Sequence, residues 1–207
     1  MAEDIDNFPK DKLSSLSKEI NLNVKNILKL LTNLLDWARM QQGAISFNPV
    51  ELVLLEIVSR NISLLCQRSE QKGVDIISEI PEKQSVYADE EMLNSILRNL
   101  LSNAIKFTNR GGKVRVYSNE KENNIVEIAI QDSGIGMSES LSKKLFRMEE
   151  EVGHTGTEGE KSTGLGFLLC KEFIERHGGK IWVDSREKIG STFYFTLPQF
   201  KNNSELP

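Results

Sequence analysis

The chain has 207 residues, 39% hydrophobic and 27% charged, so it carries enough apolar side chains for a packed core. Lys and Arg total 26 against 30 Asp and Glu, and the resulting charge of −4 disfavours non-specific nucleic-acid binding, which calls for a basic excess. Two cysteines, Cys66 and Cys170, exclude a disulfide framework and a cysteine-rich zinc site, and they point to reduced thiols in a cytoplasmic setting.

Met1 to Pro9 is polar and acidic and lacks the pattern of a secretory leader. No run of about 18 apolar residues follows, so no membrane contact is expected. Asp11 to Gln42 reads as one long helix: Leu13, Leu16, Ile20, Val24, Ile27, Leu31, Leu34 and Ala38 recur at spacings of three and four. Gly43 ends it. At ~1.5 Å per residue it would be a rod of roughly 48 Å. Leu22, Leu28, Leu30 and Leu35 widen its apolar stripe beyond a two-stranded seam. Such a rod serves self-association, here a homodimer through residues 12–42, or packs on its own domain.

Beyond Gly43 the pattern changes. Ala44 to Val50 reads as a short strand and Glu51 to Lys72 as a second helix, ended by Gly73. Val74 to Ile80 alternates as a strand, and Val86 to Ala88 is a brief one. Asp89 caps a helix running to about Thr108, with Glu90 and Glu91 in its first turn, where the helix dipole favours negative charge. Lys113 to Asn119 and Ile125 to Gln131 form a hairpin, and Ser138 caps a short helix to about Phe146. Residues 147–163 are polar and glycine-bearing, as in mobile lids. Leu165 to His177 is helical, and Lys180 to Ser185 with Ser191 to Leu197 closes the chain in a last hairpin. Residues 201–207 read as a disordered tail. Mixed helices and hairpins predict an α+β two-layer sandwich rather than a doubly wound parallel sheet.

Three motifs carry chemistry. Asn99, Asn103 and Lys106 fall at i, i+4 and i+7, on one face of their helix. Two amides and an ammonium in a line suit a metal-bound polyphosphate, since an amide oxygen ligates Mg²⁺ and a lysine neutralises phosphate. A solvated polar face is the plainer reading. Asp132-Ser133-Gly134-Ile135-Gly136-Met137 follows a strand. Its carboxylate can accept from an exocyclic amine such as that of adenine, and Gly134 and Gly136 let backbone approach a flat ring. A tight strand-to-helix turn is the alternative. Glu139 stands where a dinucleotide fingerprint needs its third glycine. Finally, Thr163-Gly164-Leu165-Gly166-Phe167 opens a helix whose N–H groups can meet an anion. The nearby Gly159-Glu160-Lys161-Ser162 is no P-loop, because its Lys does not directly follow the Gly and no strand precedes it.

In order and spacing these motifs resemble the N, G1 and G2 boxes of the ATP-binding catalytic domain of sensor histidine kinases of two-component systems. Ser185 to Leu197, with Gly190-Ser191-Thr192-Phe193, resembles that family's last hairpin, and Leu34-Leu-Asp-Trp-Ala-Arg39 the end of its second dimerisation helix. The resemblance covers roughly residues 12–198. It implies a mixed β-sheet covered by helices on one face, the Bergerat-type fold shared with gyrase, Hsp90 and MutL, preceded by a long helix. Residues 1–43 would be part of the dimerisation domain and residues 44–200 the catalytic domain. By the resemblance, Asn103 ligates Mg²⁺ with Asn99 beside it, and Lys106 meets the phosphates of ATP. Asp132 accepts from adenine N6, and Gly134 and Gly136 line the base pocket. Phe146 precedes a lid over 147–163, Gly164, Leu165 and Gly166 lie at the triphosphate, and Thr192 joins the cofactor residues. Ser162 departs from the family's usual glycine.

Related ATPases place a water-activating Glu where this chain has Asn99, and an amide has no useful basicity near neutral pH. That favours phosphoryl transfer over hydrolysis. Neither histidine fits the family's acceptor: His177 lies at a helix end and His154 within the lid stretch. The acceptor helix and the response regulator's receiver domain are therefore expected outside this chain. A nucleotide-gated regulatory or pseudokinase module without turnover is the rival expectation.

Overall fold

The computed structural model describes residues 46–146, 156–158 and 165–199, with a subset of positions between 12 and 35. The chain divides into two compact units, Met1–Ile45 and Ser46–Pro207. In the first, every described position is helical, in line with its three-and-four apolar spacing. The expected end of this helix, at Gln42 and Gly43, lies outside the described residues.

The second unit begins with β1 (Val50–Val53), α1 (Leu54–Lys72), β2 (Asp75–Glu79), β3 (Ser85–Ala88) and α2 (Glu90–Phe107). It continues with β4 (Lys113–Lys121), β5 (Ile125–Asp132), α3 (Glu139–Lys144), α4 (Leu165–Arg176), β6 (Ile181–Arg186) and β7 (Gly190–Pro198). Among the described residues the first strand is Val50–Val53 rather than the expected Ala44–Val50: residues 46–49 are in no strand, 44 and 45 lie outside the described residues, and the helix that follows starts at Leu54 rather than Glu51. The cause is tertiary: residues 50–53 pair antiparallel with β3, Val50 opposite Ala88 and Val53 opposite Ser85. That pairing overrides the helical look of the local sequence.

Among the described residues, five strands form the main sheet in the order β2-β4-β5-β7-β6. β2 and β4 run parallel; β4–β5, β5–β7 and β6–β7 are antiparallel. The helices pack on one face. Leu93, Ile96, Leu97, Leu100, Leu101 and Ile105 make α2 its central member, fully buried over Val114, Val116, Ile128 and Phe195. Sheet residues one step away along each strand point to the other face. There Tyr117, Ala129, Tyr194 and Trp182 share one row across four strands, and Trp182 stacks on Tyr194 at 5.3 Å.

Helix ends follow their expected chemistry. Gly73 closes α1 in the left-handed region at φ 63°, and Val74 N donates to Ser69 O. Asp89 caps α2 by accepting from Met92 N at 3.1 Å, and Ser138 caps α3 by accepting from Leu141 N.

Candidate functional site

Helix α2 sets Asn99, Asn103 and Lys106 along one face. Asn99 and Lys106 are buried and Asn103 half-buried, so this is no solvated stripe. Lys106 Nζ lies 5.0 Å from the centroid of the Phe107 ring. Helix α4 starts against this face. A Cβ on Gly166 would come within 2.8 Å of Asn99 Oδ1, so the glycine is what lets the first turn of α4 approach the amide. Leu165 is the first residue of α4, and Gly164 lies outside the described residues.

The loop after β5 meets the C-terminal end of α2. Ile135 N donates to Phe107 O at 3.1 Å. A Cβ on Gly134 would sit 2.3 Å from that same carbonyl, and one on Gly136 would sit 1.9 Å from Arg186 O. Gly136 also has φ 64°, a conformation that side-chain-bearing residues rarely adopt. Both glycines are thus required by backbone on two sides: α2 on one, the β6–β7 turn on the other. Lys188 N donates to Ile135 O and Met137 N to Ser185 Oγ, completing the clamp.

Asp132, at the end of β5, is 5% exposed. Its Oδ1 accepts from Gly134 N at 2.9 Å and Ser191 N at 3.3 Å. Burial pushes its carboxyl up to about 6, and those two N–H groups only partly oppose the shift. Among the described residues no donor engages Oδ2.

Phe146 meets Phe167 edge-on at 6.1 Å, and Phe167 stacks on Phe193 at 5.1 Å, an aromatic row from the end of α3 to β7. Thr192 is not brought to the site. It pairs with Gln131, on the same face as Tyr194, whereas Ser191 pairs with Asp132 and shares the helix-covered face with Phe193. Ser191, one residue earlier, is the member that reaches Asp132. Of the residues 147–163, only 156–158 are described.

Two further participants had no site role assigned from the sequence. Ser185 Oγ lies 2.8 Å from Met137 N, 3.1 Å from Gly190 O and 2.9 Å from Ser191 Oγ, tying the loop to the last hairpin. The register of that hairpin, Ser185 opposite Ser191, was the signal that could have found it. Lys72 is buried at the end of α1 and donates to Lys106 O, which only the packing reveals.

His177 is buried away from these groups. Asp89 N donates to its Nε2 at 2.9 Å, and its Nδ1 lies 2.6 Å from Phe173 O. A carbonyl only accepts and an amide N–H only donates, so the ring is neutral with its proton on Nδ1. Burial lowers its pKa below the ordinary value, in keeping with that state. His154 lies outside the described residues.

Comparison with known proteins places this geometry. Residues 88–201 match the family described as histidine kinase-, DNA gyrase B- and HSP90-like ATPase. The adaptive-response sensory kinase SasA of a Prochlorococcus marinus strain is 33% identical over 196 residues, 94% of this chain and 51% of its own length. The chain thus spans about half the length of the curated relatives it matches. Among solved structures, the catalytic domain of histidine kinase ThkA superposes with a TM-score of 0.63 at 32% identity, over 75% of this chain and 97% of that one. ThkA in complex with the response regulator TrrA gives 0.68 at 28% identity, over 89% and 52%.

Proposed function

The chain belongs to the histidine kinase-, DNA gyrase B- and HSP90-like ATPase family, and from that premise we propose that its site holds Mg-ATP as the catalytic module of a two-component sensor kinase. The observation that carries this reading is Asp132. A buried carboxylate has its Oδ1 engaged by two backbone N–H groups, and Oδ2 is left for a ligand donor such as the exocyclic amine of adenine. Gly134 and Gly136 form the floor there, where no Cβ fits. Phe146 would border the base pocket.

The phosphate end lies along α2. The donor set fits a magnesium-bound polyphosphate: two amides and an ammonium share one face of α2, with Gly166 of α4 packed close against Asn99. Asn103 offers a half-buried amide oxygen as a hard ligand, and Lys106 an ammonium for phosphate. Gly164, Leu165 and Gly166 would present the N-terminus of α4 to the anion. Magnesium would supply charge neutralisation, while the chain's own groups position the γ-phosphoryl.

Both nitrogens of His177 are engaged, which supports an acceptor histidine on another helix. Transfer would break the bond from the γ-phosphorus to the bridging oxygen of ADP and form one to an imidazole nitrogen. A receiver domain of a response regulator would take the phosphoryl group next. Among the described residues no helix is long and apolar enough to cross a membrane.

Incubation with γ-labelled ATP tests the reading, with and without a separate protein bearing the acceptor helix. The expected result is nucleotide binding by the chain alone and label only on the acceptor. Acid-labile histidine label on the chain alone would overturn the external acceptor. Absence of ATP binding would overturn the nucleotide site itself.

A further inference from the structure

The last turn of an α-helix leaves carbonyls without intrahelical partners. In α2 these carbonyls are met from three separate parts of the chain. Phe107 O accepts from Ile135 N, as described above. Thr108 O accepts from Thr157 Oγ1 at 3.2 Å. Lys106 O is the crowded one: Lys72 Nζ donates at 2.6 Å, Thr157 N at 3.2 Å, and Thr157 Oγ1 lies at 3.2 Å. The hydroxyl proton of Thr157 is therefore shared between two carbonyls, while its amide adds a third donor on Lys106 O. Next to it, Glu158 pairs with Arg110 at 3.5 Å.

We propose that Lys72 and Thr157 are positioning residues for the phosphate end of the site. By fixing the main chain of Lys106 they aim its ammonium. The inference rests on the nucleotide reading above and extends it to two residues outside the N, G1 and G2 boxes. Two physical effects support it. A helix C-terminus carries about half a negative charge, which works against phosphate binding at a lysine in the last turn. Lys72, 4% exposed, sets a positive charge on that carbonyl and offsets it. Thr157 acts by geometry: its bonds to residues 106 and 108 hold the end of the helix at fixed length, so Lys106 cannot unwind toward solvent. Helix α1 and the segment 156–158 thus converge on one atom of the phosphate-binding residue.

The test is calorimetry on the full chain with two probes, Mg-ATP and adenosine. Thr157→Val keeps the shape and the amide but removes the hydroxyl proton; Thr157→Ser restores it. Thr157→Val is expected to weaken Mg-ATP about fivefold while adenosine stays within about twofold. Thr157→Ser should recover Mg-ATP affinity to within about twofold of the parent. Lys72→Met should lose about tenfold for Mg-ATP, again sparing adenosine. If Lys72→Met does not fold, the Thr157 pair decides. Equal losses for both probes, or no loss in Thr157→Val, would overturn the positioning role and leave the nucleotide site standing. A parent chain that binds neither probe overturns the nucleotide reading, and this inference with it.

Discussion

Burial pushes the Asp132 carboxyl up to about 6 from an ordinary 3.8, so the folded chain holds its proton more tightly than the unfolded chain. The sign follows. This group's contribution to stability is complete below pH 3.8 and is lost as pH rises through about 6. At pH 7 the ionised carboxylate costs the fold on the order of 3 kcal/mol. An asparagine keeps one oxygen for the Gly134 and Ser191 amides without the charge. Asp132→Asn is therefore expected to raise stability at pH 7 by up to about 3 kcal/mol and to flatten its dependence between pH 4 and 6. Urea denaturation at pH 4.5, 5.5 and 7 measures both. The same change should weaken ADP, because an amide presents only one acceptor and the backbone already uses it. A variant no more stable than the parent at pH 7 would show that the carboxylate is well solvated.

At the scale of elements, the site is a matter of how closely α2 is approached at its middle and at its C-terminal end. Gly166 lets α4 reach Asn99, and Gly134 lets the loop after β5 reach Phe107 O. The two obstacles differ in kind. An added Cβ at residue 166 meets a side-chain amide, which can turn; one at residue 134 meets a main-chain carbonyl already bonded to Ile135 N. Gly166→Ala should cost about 1 kcal/mol of stability and Gly134→Ala about 3 kcal/mol. Thermal unfolding of both checks the order, and a reversed order would place the rigid contact at Asn99. Much of this was legible in the sequence. The caps at Asp89 and Ser138, the stop at Gly73 and the shared face of Asn99, Asn103 and Lys106 are local properties, set by spacing and residue type. What was not legible is set by pairing. Val50–Val53 became a strand because β3 lies beside it, and Ser191 rather than Thr192 reached Asp132 because the register of β5 with β7 decides the face. The burial of Lys72 against Lys106 O joins residues 34 apart, beyond any local pattern.

At the scale of the whole molecule, the two units differ in how their apolar residues are used. In Ser46–Pro207 the large aliphatic residues of α2 are fully buried. In Met1–Ile45, Leu13, Leu16, Ile20, Val24, Ile27, Leu28, Leu31 and Leu35 are between 45% and 59% exposed. Each withholds on the order of 1 kcal/mol of burial. Residues 13, 16, 20, 24, 27 and 31 fall at helical spacing, so that exposure lies along one stripe. We infer that a second copy covers this stripe and that the chain self-associates through residues 12–42. Sedimentation velocity across a hundredfold concentration range should show a monomer–dimer equilibrium, and Ile20→Asp with Ile27→Asp should hold the chain monomeric. Those changes lie outside the unit that carries Asp132 and Lys106, so ADP affinity is expected to stay within about twofold. A parent chain that stays monomeric at the highest concentration removes the dimer. A double variant that loses ADP binding along with the dimer instead makes the first unit part of the nucleotide site.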